Sequence, residues 1–145
     1  MATTSEAADA IGIRYETLRN WLKKGLLAGD GEPEEIRSRK WRQYSTAEFI
    51  RIQIVKDGLE AGVALDVMVD VCNDPELTIL AERLLTHSSH LNPADKPYVL
   101  IWSTLPEAKY MFARKVALMQ EITRNSAPVT ILDIEHACLP HVEKL

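Results

Sequence analysis

Four residues near the start of the chain constrain its architecture more than any others: Ala8, Gly12, Leu18 and Trp21. A small side chain at Ala8 lets two helices approach, and Gly12, four residues later, accepts the left-handed backbone of a tight turn. Leu18 and Trp21 follow at helical spacing and fill the angle between the helices. Thr3 with Glu6 makes a capping box, which satisfies two backbone N–H groups that a helix start leaves without partners, so the first helix is expected to run to about residue 10. The second carries Leu18, Trp21 and Leu22 on one face, turns Arg19, Asn20 and Lys23 elsewhere, and stops at Gly25. The pair reads as a helix-turn-helix with a second helix free to enter a major groove; an ordinary pair of bundle helices is the alternative.

Net charge argues weakly against nucleic acid, because 17 basic against 21 acidic residues leave the chain at -4. Distribution matters more than the total. Residues 1–50 hold Arg14, Arg19, Lys23, Lys24, Arg37, Arg39, Lys40 and Arg42. Four of the six residues from Arg37 to Arg42 are cationic, and Trp41 and Tyr44 lie in or beside that run. Ser45 and Glu48 form a second capping box, opening a helix with Phe49, Ile52, Val55 and Leu59 on one face and a stop near Gly62. A shorter helix is expected from about Leu65 to Cys72.

The stretches TSEAADAIGIRYETLRNWLKKGLL and KWRQYSTAEFIRIQIVKDGLEAGVAL resemble the DNA-binding module of the MerR family of transcriptional regulators, over roughly residues 3–75. The resemblance rests on order and spacing: Ala8 to Ile13, Thr17 to Arg19 with Trp21, Gly25 to Leu27, the basic loop, then Arg42 with Tyr44 and Ser45. It implies a winged helix-turn-helix in which Arg14, Tyr15, Arg19, Asn20 and Lys23 project from the recognition helix toward double-stranded DNA. Arg19 and Asn20 suit guanine and adenine edges, whereas Lys23 and Lys24 suit phosphate. The loop 29–41 would be the wing, with Arg37, Arg39, Lys40 and Arg42 on the sugar-phosphate backbone and Tyr44 donating a hydroxyl hydrogen bond. Asp30, Glu32, Glu34 and Glu35 should point away from the duplex. Arg14 and Ala64 stand where the family places side-chain helix caps, and no sustained heptad follows the module. The family's dimerisation through a long antiparallel coiled coil, and the promoter-untwisting mechanism tied to it, are therefore not expected here.

Beyond the module, Leu77, Leu80, Ala81, Leu84 and Leu85 form the stripe of an amphipathic helix over about 76–86. Residues 88–97, rich in Ser and Pro, read as a connector. Strands are expected at 98–102 and 129–134 around a helix at 106–124, and a connection of that length favours parallel pairing. Two strands alone are marginal in water, so the sheet calls for completion, preferably by a second subunit. The expected organisation is mostly α: a winged helix-turn-helix at 1–75, a helix and connector at 76–97, and a small α/β dimerisation or effector region at 98–145.

Cys72 and Cys138 are too few and too distant in sequence for a disulfide framework or a zinc cage. His87 and His90 lie three apart and His136, Cys138 and His141 cluster near the C-terminus, a spacing that is only suggestive; a zinc site needs three or four converging ligands, so neither metal nor cofactor is expected. No nucleophile-base pair or phosphate-cradling glycine loop supports an enzyme. With no apolar run of about 18 residues and an acidic N-terminus, the chain reads as cytoplasmic. The expected function is a sequence-specific, homodimeric transcriptional regulator of prokaryotic or phage type, open to a small-molecule or protein effector. Alternatives are a phage or mobile-element protein that organises DNA for excision or packaging, and a protein-interaction adaptor.

Overall fold

The computed structural model describes residues 2–87, 92–105, 107–124 and 127–142. Helices α1 (Thr4–Ile11) and α2 (Tyr15–Lys23) are followed by a 3-10 turn (Ala28–Asp30) and the single turn α3 (Glu34–Arg37). Then come α4 (Thr46–Glu60), α5 (Leu65–Asn73) and α6 (Pro75–His87). The C-terminal part comprises β1 (Pro97–Trp102), β2 (Lys109–Arg114), α7 (Leu118–Arg124), β3 (Thr130–Asp133) and α8 (Ile134–Val142). The mostly helical fold, helix-turn-helix first and small α/β region last, is as expected.

Both capping boxes form. The Thr3 hydroxyl accepts the Glu6 N–H and the Ser45 hydroxyl accepts the Glu48 N–H, while each glutamate reaches back to the cap backbone. By contrast the N-cap of α5, Ala64, has no side chain to cap the helix, and the Val67 N–H of its first turn is taken by the Asp66 carboxylate at 2.9 Å.

Helix α4 is the hub of the molecule. Its buried set, Ala47, Ile50, Arg51, Ile52, Ile54, Val55 and Gly58, runs around the helix and not along the one stripe expected from Phe49, Ile52, Val55 and Leu59. The reason is that α4 packs against α1, α5, α6, α8 and β3 at once, and a helix enclosed by neighbours is apolar all round. Gly58 lies where α5 crosses, and a Cβ there would run into the buried Met68 side chain, which would have to shift.

The C-terminal sheet departs from the expected strand-helix-strand. Residues 109–114 form a strand and only Leu118–Arg124 of the expected 106–124 helix is α-helical. The sheet order is β2-β1-β3, with both pairs antiparallel. Val99 sits opposite Phe112 on one side and Leu132 on the other. Parallel pairing followed from counting one helix between two strands; with β2 inserted, the chain reverses once more and β3 runs antiparallel to β1. The third strand thus comes from the same chain, not from a second subunit. Val99, Ile101 and Leu132 join one continuous core with Ile134 and Ala137 of α8, Ile52 and Ile54 of α4, and Ala8 and Leu18 of the first two helices.

Among the described residues no helix is long and apolar enough to cross a membrane. Both cysteines are buried and unpaired. No three His, Cys, Asp or Glu side chains come together among the described residues, and the side chains of His87, His90 and His141 lie outside them.

Candidate nucleic-acid interface

Gly12 sits at φ 83°, in the left-handed region, and closes α1 by donating its N–H to the carbonyls of Ala8 (2.9 Å) and Asp9 (3.2 Å). Ala8 is fully buried beneath the turn. Leu18, Trp21 and Leu22 fill the angle between the helices, each burial contributing about 1.5–3 kcal/mol. From the opposite side the Lys56 ammonium of α4 donates to the Ile11 carbonyl at 2.9 Å, occupying one of the orphan acceptors of a helix end. Helix α2 is therefore held at a fixed angle by packing on one face and a tied turn at its start.

Its other face is open. Arg14, Glu16, Arg19, Asn20, Lys23 and Lys24 are exposed, and Tyr15 and Thr17 are half-buried. Arg14 is the N-cap, in extended conformation, and its side chain makes no cap hydrogen bond. The first-turn N–H groups of α2 thus have no side-chain acceptor, and they carry the positive end of the helix dipole.

The loop after α2 is a wing built from helical turns. Its one β contact is an isolated bridge between Ala2 and Tyr44. Arg39, Lys40 and Trp41 are exposed, but three residues expected on the duplex lie inside. Arg37 is buried, and its guanidinium donates to the carbonyls of Glu32 (2.9 Å) and Leu22 (3.0 Å), fastening the loop to the end of α2. Arg42 is buried between Glu32 and Glu48, 2.7 Å from the latter, and lies 4.5 Å over the Tyr44 ring. Burial opposes its charge, and the hydrogen bonds to Glu48 and Glu32 more than offset this, holding its pKa above the ordinary guanidinium value. Tyr44 has no exposed surface, and its hydroxyl shares a hydrogen bond of 3.1 Å with Thr4. Burial pushes that phenol up, with the Thr4 hydrogen bond acting the other way. The expectation that Arg37, Arg42 and Tyr44 reach DNA does not fit this placement. A cationic run read from sequence alone looks like a solvated surface, whereas here two of its members are drawn inward, Arg37 by the backbone carbonyls of Leu22 and Glu32 and Arg42 by the carboxylates of Glu32 and Glu48.

The acidic part of the loop acquires a role by the same contacts. Asp30 pairs with Arg51 at 2.9 Å, and Glu32 with Arg42. Glu34 accepts through its carbonyl from the Ser38 hydroxyl at 2.8 Å. Arg51 was not foreseen as a structural residue, although a charge within Phe49-Ile50-Arg51-Ile52 is the mark of a buried, partnered cation. Its Nε and Nη2 donate to the Cys72 carbonyl at 3.0 and 2.9 Å, so one guanidinium joins the loop, α4 and the end of α5. Burial works against the Arg51 charge and Asp30 restores it, with a net rise in pKa. Asn73 adds a further tie, donating to the Gly25 carbonyl at 2.8 Å; nothing local in the sequence points to it.

Of the eight cations among residues 1–50, Arg14, Arg19, Lys23, Lys24, Arg39 and Lys40 remain exposed. They are presented by one rigid helix and by a loop pinned to it. Such an arrangement suits a polyanion with a groove that accepts a helix. A family model described as MerR HTH family regulatory protein matches residues 2–74. No curated protein matches the chain.

Proposed function

This chain belongs to the MerR helix-turn-helix regulatory family of DNA-binding transcription regulators, and we propose that it acts as a sequence-specific homodimer, each copy reading one half-site. The observation that carries this is the state of α2: its apolar side is locked into the core while Arg14, Arg19, Asn20, Lys23 and Lys24 face solvent, uncovered by the other described residues. Arg19 and Asn20 read base edges, for which their paired donors and acceptors are suited. Lys23 and Lys24 meet phosphate, as does Arg14, and the half-buried Tyr15 lines the start of the helix. Arg39 and Lys40 of the wing hold the flanking backbone. Arg37, Arg42 and Tyr44 serve the interface from behind, by fixing the loop that presents those two cations.

The region 98–145 sets the separation of the two copies. In support, Val116, Met119 and Ile131 remain substantially exposed, and among the described residues the outer edges of β2 and β3 have no strand partner. Exposed apolar side chains and open strand edges are what a second subunit covers. The chain acts as a regulator and not as an enzyme, in keeping with its family.

The test is selection of bound duplexes from a random pool by the full chain, followed by footprinting. Enrichment of one motif in two half-sites about 10–10.5 bp apart, or a multiple of that, is the expected result. Binding that enriches no motif would contradict sequence-specific readout, and a single unrepeated half-site would contradict the dimer.

A further inference from the structure

Three tryptophans occupy two kinds of environment. Trp21 and Trp102 are 6% and 3% exposed, whereas Trp41, the last residue of the wing, is 72% exposed. Folding leaves this large aromatic surface in water, although indole is among the side chains that gain most from burial. Nor does the ring sit on a loose segment. The Arg39 carbonyl before it accepts the Thr4 hydroxyl at 3.1 Å and the Arg42 N–H at 3.2 Å. The Arg42 side chain after it is clamped by Glu32 and Glu48. Two exposed cations, Arg39 and Lys40, precede it, and the Lys40 ammonium lies 5.3 Å from the ring centroid. A rigid turn thus presents an aromatic ring beside positive charge, which selects a polyanionic partner over an apolar protein surface.

Distance decides where on that partner the ring falls. Arg37 is fastened to the carbonyl of Leu22, next to the last residue of α2, and Trp41 follows four residues later, at most about 14 Å of chain. In B-DNA the minor groove lies across one phosphate strand from the major groove, with widths of roughly 6 and 12 Å. On the reading of α2 as the recognition helix, we propose that Trp41 is an apolar wedge that enters the minor groove flanking the half-site, with Arg39 and Lys40 on its phosphate walls. Apolar side chains that enter this groove partly unstack a base step and kink the duplex. Entry is easiest at A·T pairs, because guanine places an amino group on the minor-groove floor. Trp41 therefore contributes specificity outside the bases that α2 reads.

Tryptophan emission reports this directly, since the other two indoles are buried and only Trp41 faces solvent. Full-length protein is titrated with its selected duplex, monitoring emission and, separately, the affinity of wild type, Trp41→Phe and Trp41→Ala. Entry predicts quenching that saturates with complex formation and an affinity loss of about tenfold or more for Trp41→Ala at unchanged salt slope, with Trp41→Phe between. In a G·C flank, inosine in place of guanine removes only the minor-groove amino group; it should strengthen wild-type binding and leave Trp41→Ala unaffected. A complex that forms with unaltered emission, or a Trp41→Ala variant that binds and discriminates inosine as wild type does, overturns the wedge while leaving the helix-turn-helix reading intact. Absence of any complex overturns that reading and the wedge together.

Discussion

Arg42 and Glu48 form a 2.7 Å ion pair between the base of the wing and the first turn of α4, and the same carboxylate caps the helix, its other oxygen accepting the Ser45 N–H at 2.9 Å. One glutamate thus couples the helix start to the loop that carries Arg39 and Lys40. Removing the cation leaves Glu32 and Glu48 facing each other without compensation. Arg42→Ala should destabilise the protein by about 3–5 kcal/mol, the cost of breaking a buried pair from one side, measured by urea unfolding. In the fraction that stays folded, the salt dependence of DNA binding should be unchanged, because Arg42 makes no surface contact.

The exposed cations behave oppositely. Arg39→Ala and Lys40→Ala should leave the unfolding midpoint within about 0.5 kcal/mol of wild type, as surface substitutions do. Each should reduce the slope of log K against log salt by about 0.9, one phosphate contact. Titrations by fluorescence anisotropy at several salt concentrations separate the two classes of arginine.

Gly58 gives a prediction that runs against helix propensity. Alanine in a helix interior is ordinarily favoured over glycine by about 1 kcal/mol, but a Cβ at this position would meet the Met68 sulfur at 2.2 Å and its terminal methyl at 2.6 Å. Gly58→Ala should therefore destabilise by about 1–3 kcal/mol through overpacking. Met68→Ala should relieve it, so that the double variant is more stable than the sum of the two single losses. Additive losses in thermal unfolding would show that α4 and α5 do not touch as closely as described.

Burial pushes the thiols of Cys72 and Cys138 up to about 12, from an ordinary 9.0. The thiolate is the reactive form, so at pH 8 both should label about a thousandfold more slowly than free cysteine, and both should become reactive in denaturant. The linkage has a definite sign. A folded-state pKa above the unfolded one contributes stability that is intact below pH 9 and is lost as the pH climbs toward 12, because only the unfolded chain ionises readily there. Urea midpoints measured across that window should fall.

Local features of this fold were legible in the sequence, and non-local ones were not. The capping boxes at Thr3 and Ser45, the turn at Gly12 and the apolar face of α2 each involve residues within one or two helical turns of each other, so pattern alone places them. By pattern alone residues 109–114 read as helix, because Ala108, Met111 and Phe112 fit a period of 3.6. The same segment also fits a period of two, with Tyr110 and Phe112 on one face and Met111 and Ala113 on the other. Pairing with β1 settles the choice, and that partner lies elsewhere in the chain. The burial of Arg37 and Arg42 was hidden for the same reason: the Leu22 carbonyl and the Glu48 carboxylate that receive them are brought close only by folding. The exposed residues of α2 follow directly from helical geometry, so the solvent face of that helix is the part of the candidate site most legible in the sequence.

The account stands on the polar face of α2 reading bases, and the ratio of affinities for the selected duplex and a scrambled duplex of equal length measures this most directly. For wild type the ratio should be large, and for Arg19→Ala it should fall by about 1–3 kcal/mol, the worth of one bidentate base contact, with the fold and the salt slope preserved. An Arg19→Ala protein that keeps the wild-type ratio, or a wild-type protein that binds both duplexes equally at every salt concentration, would contradict it.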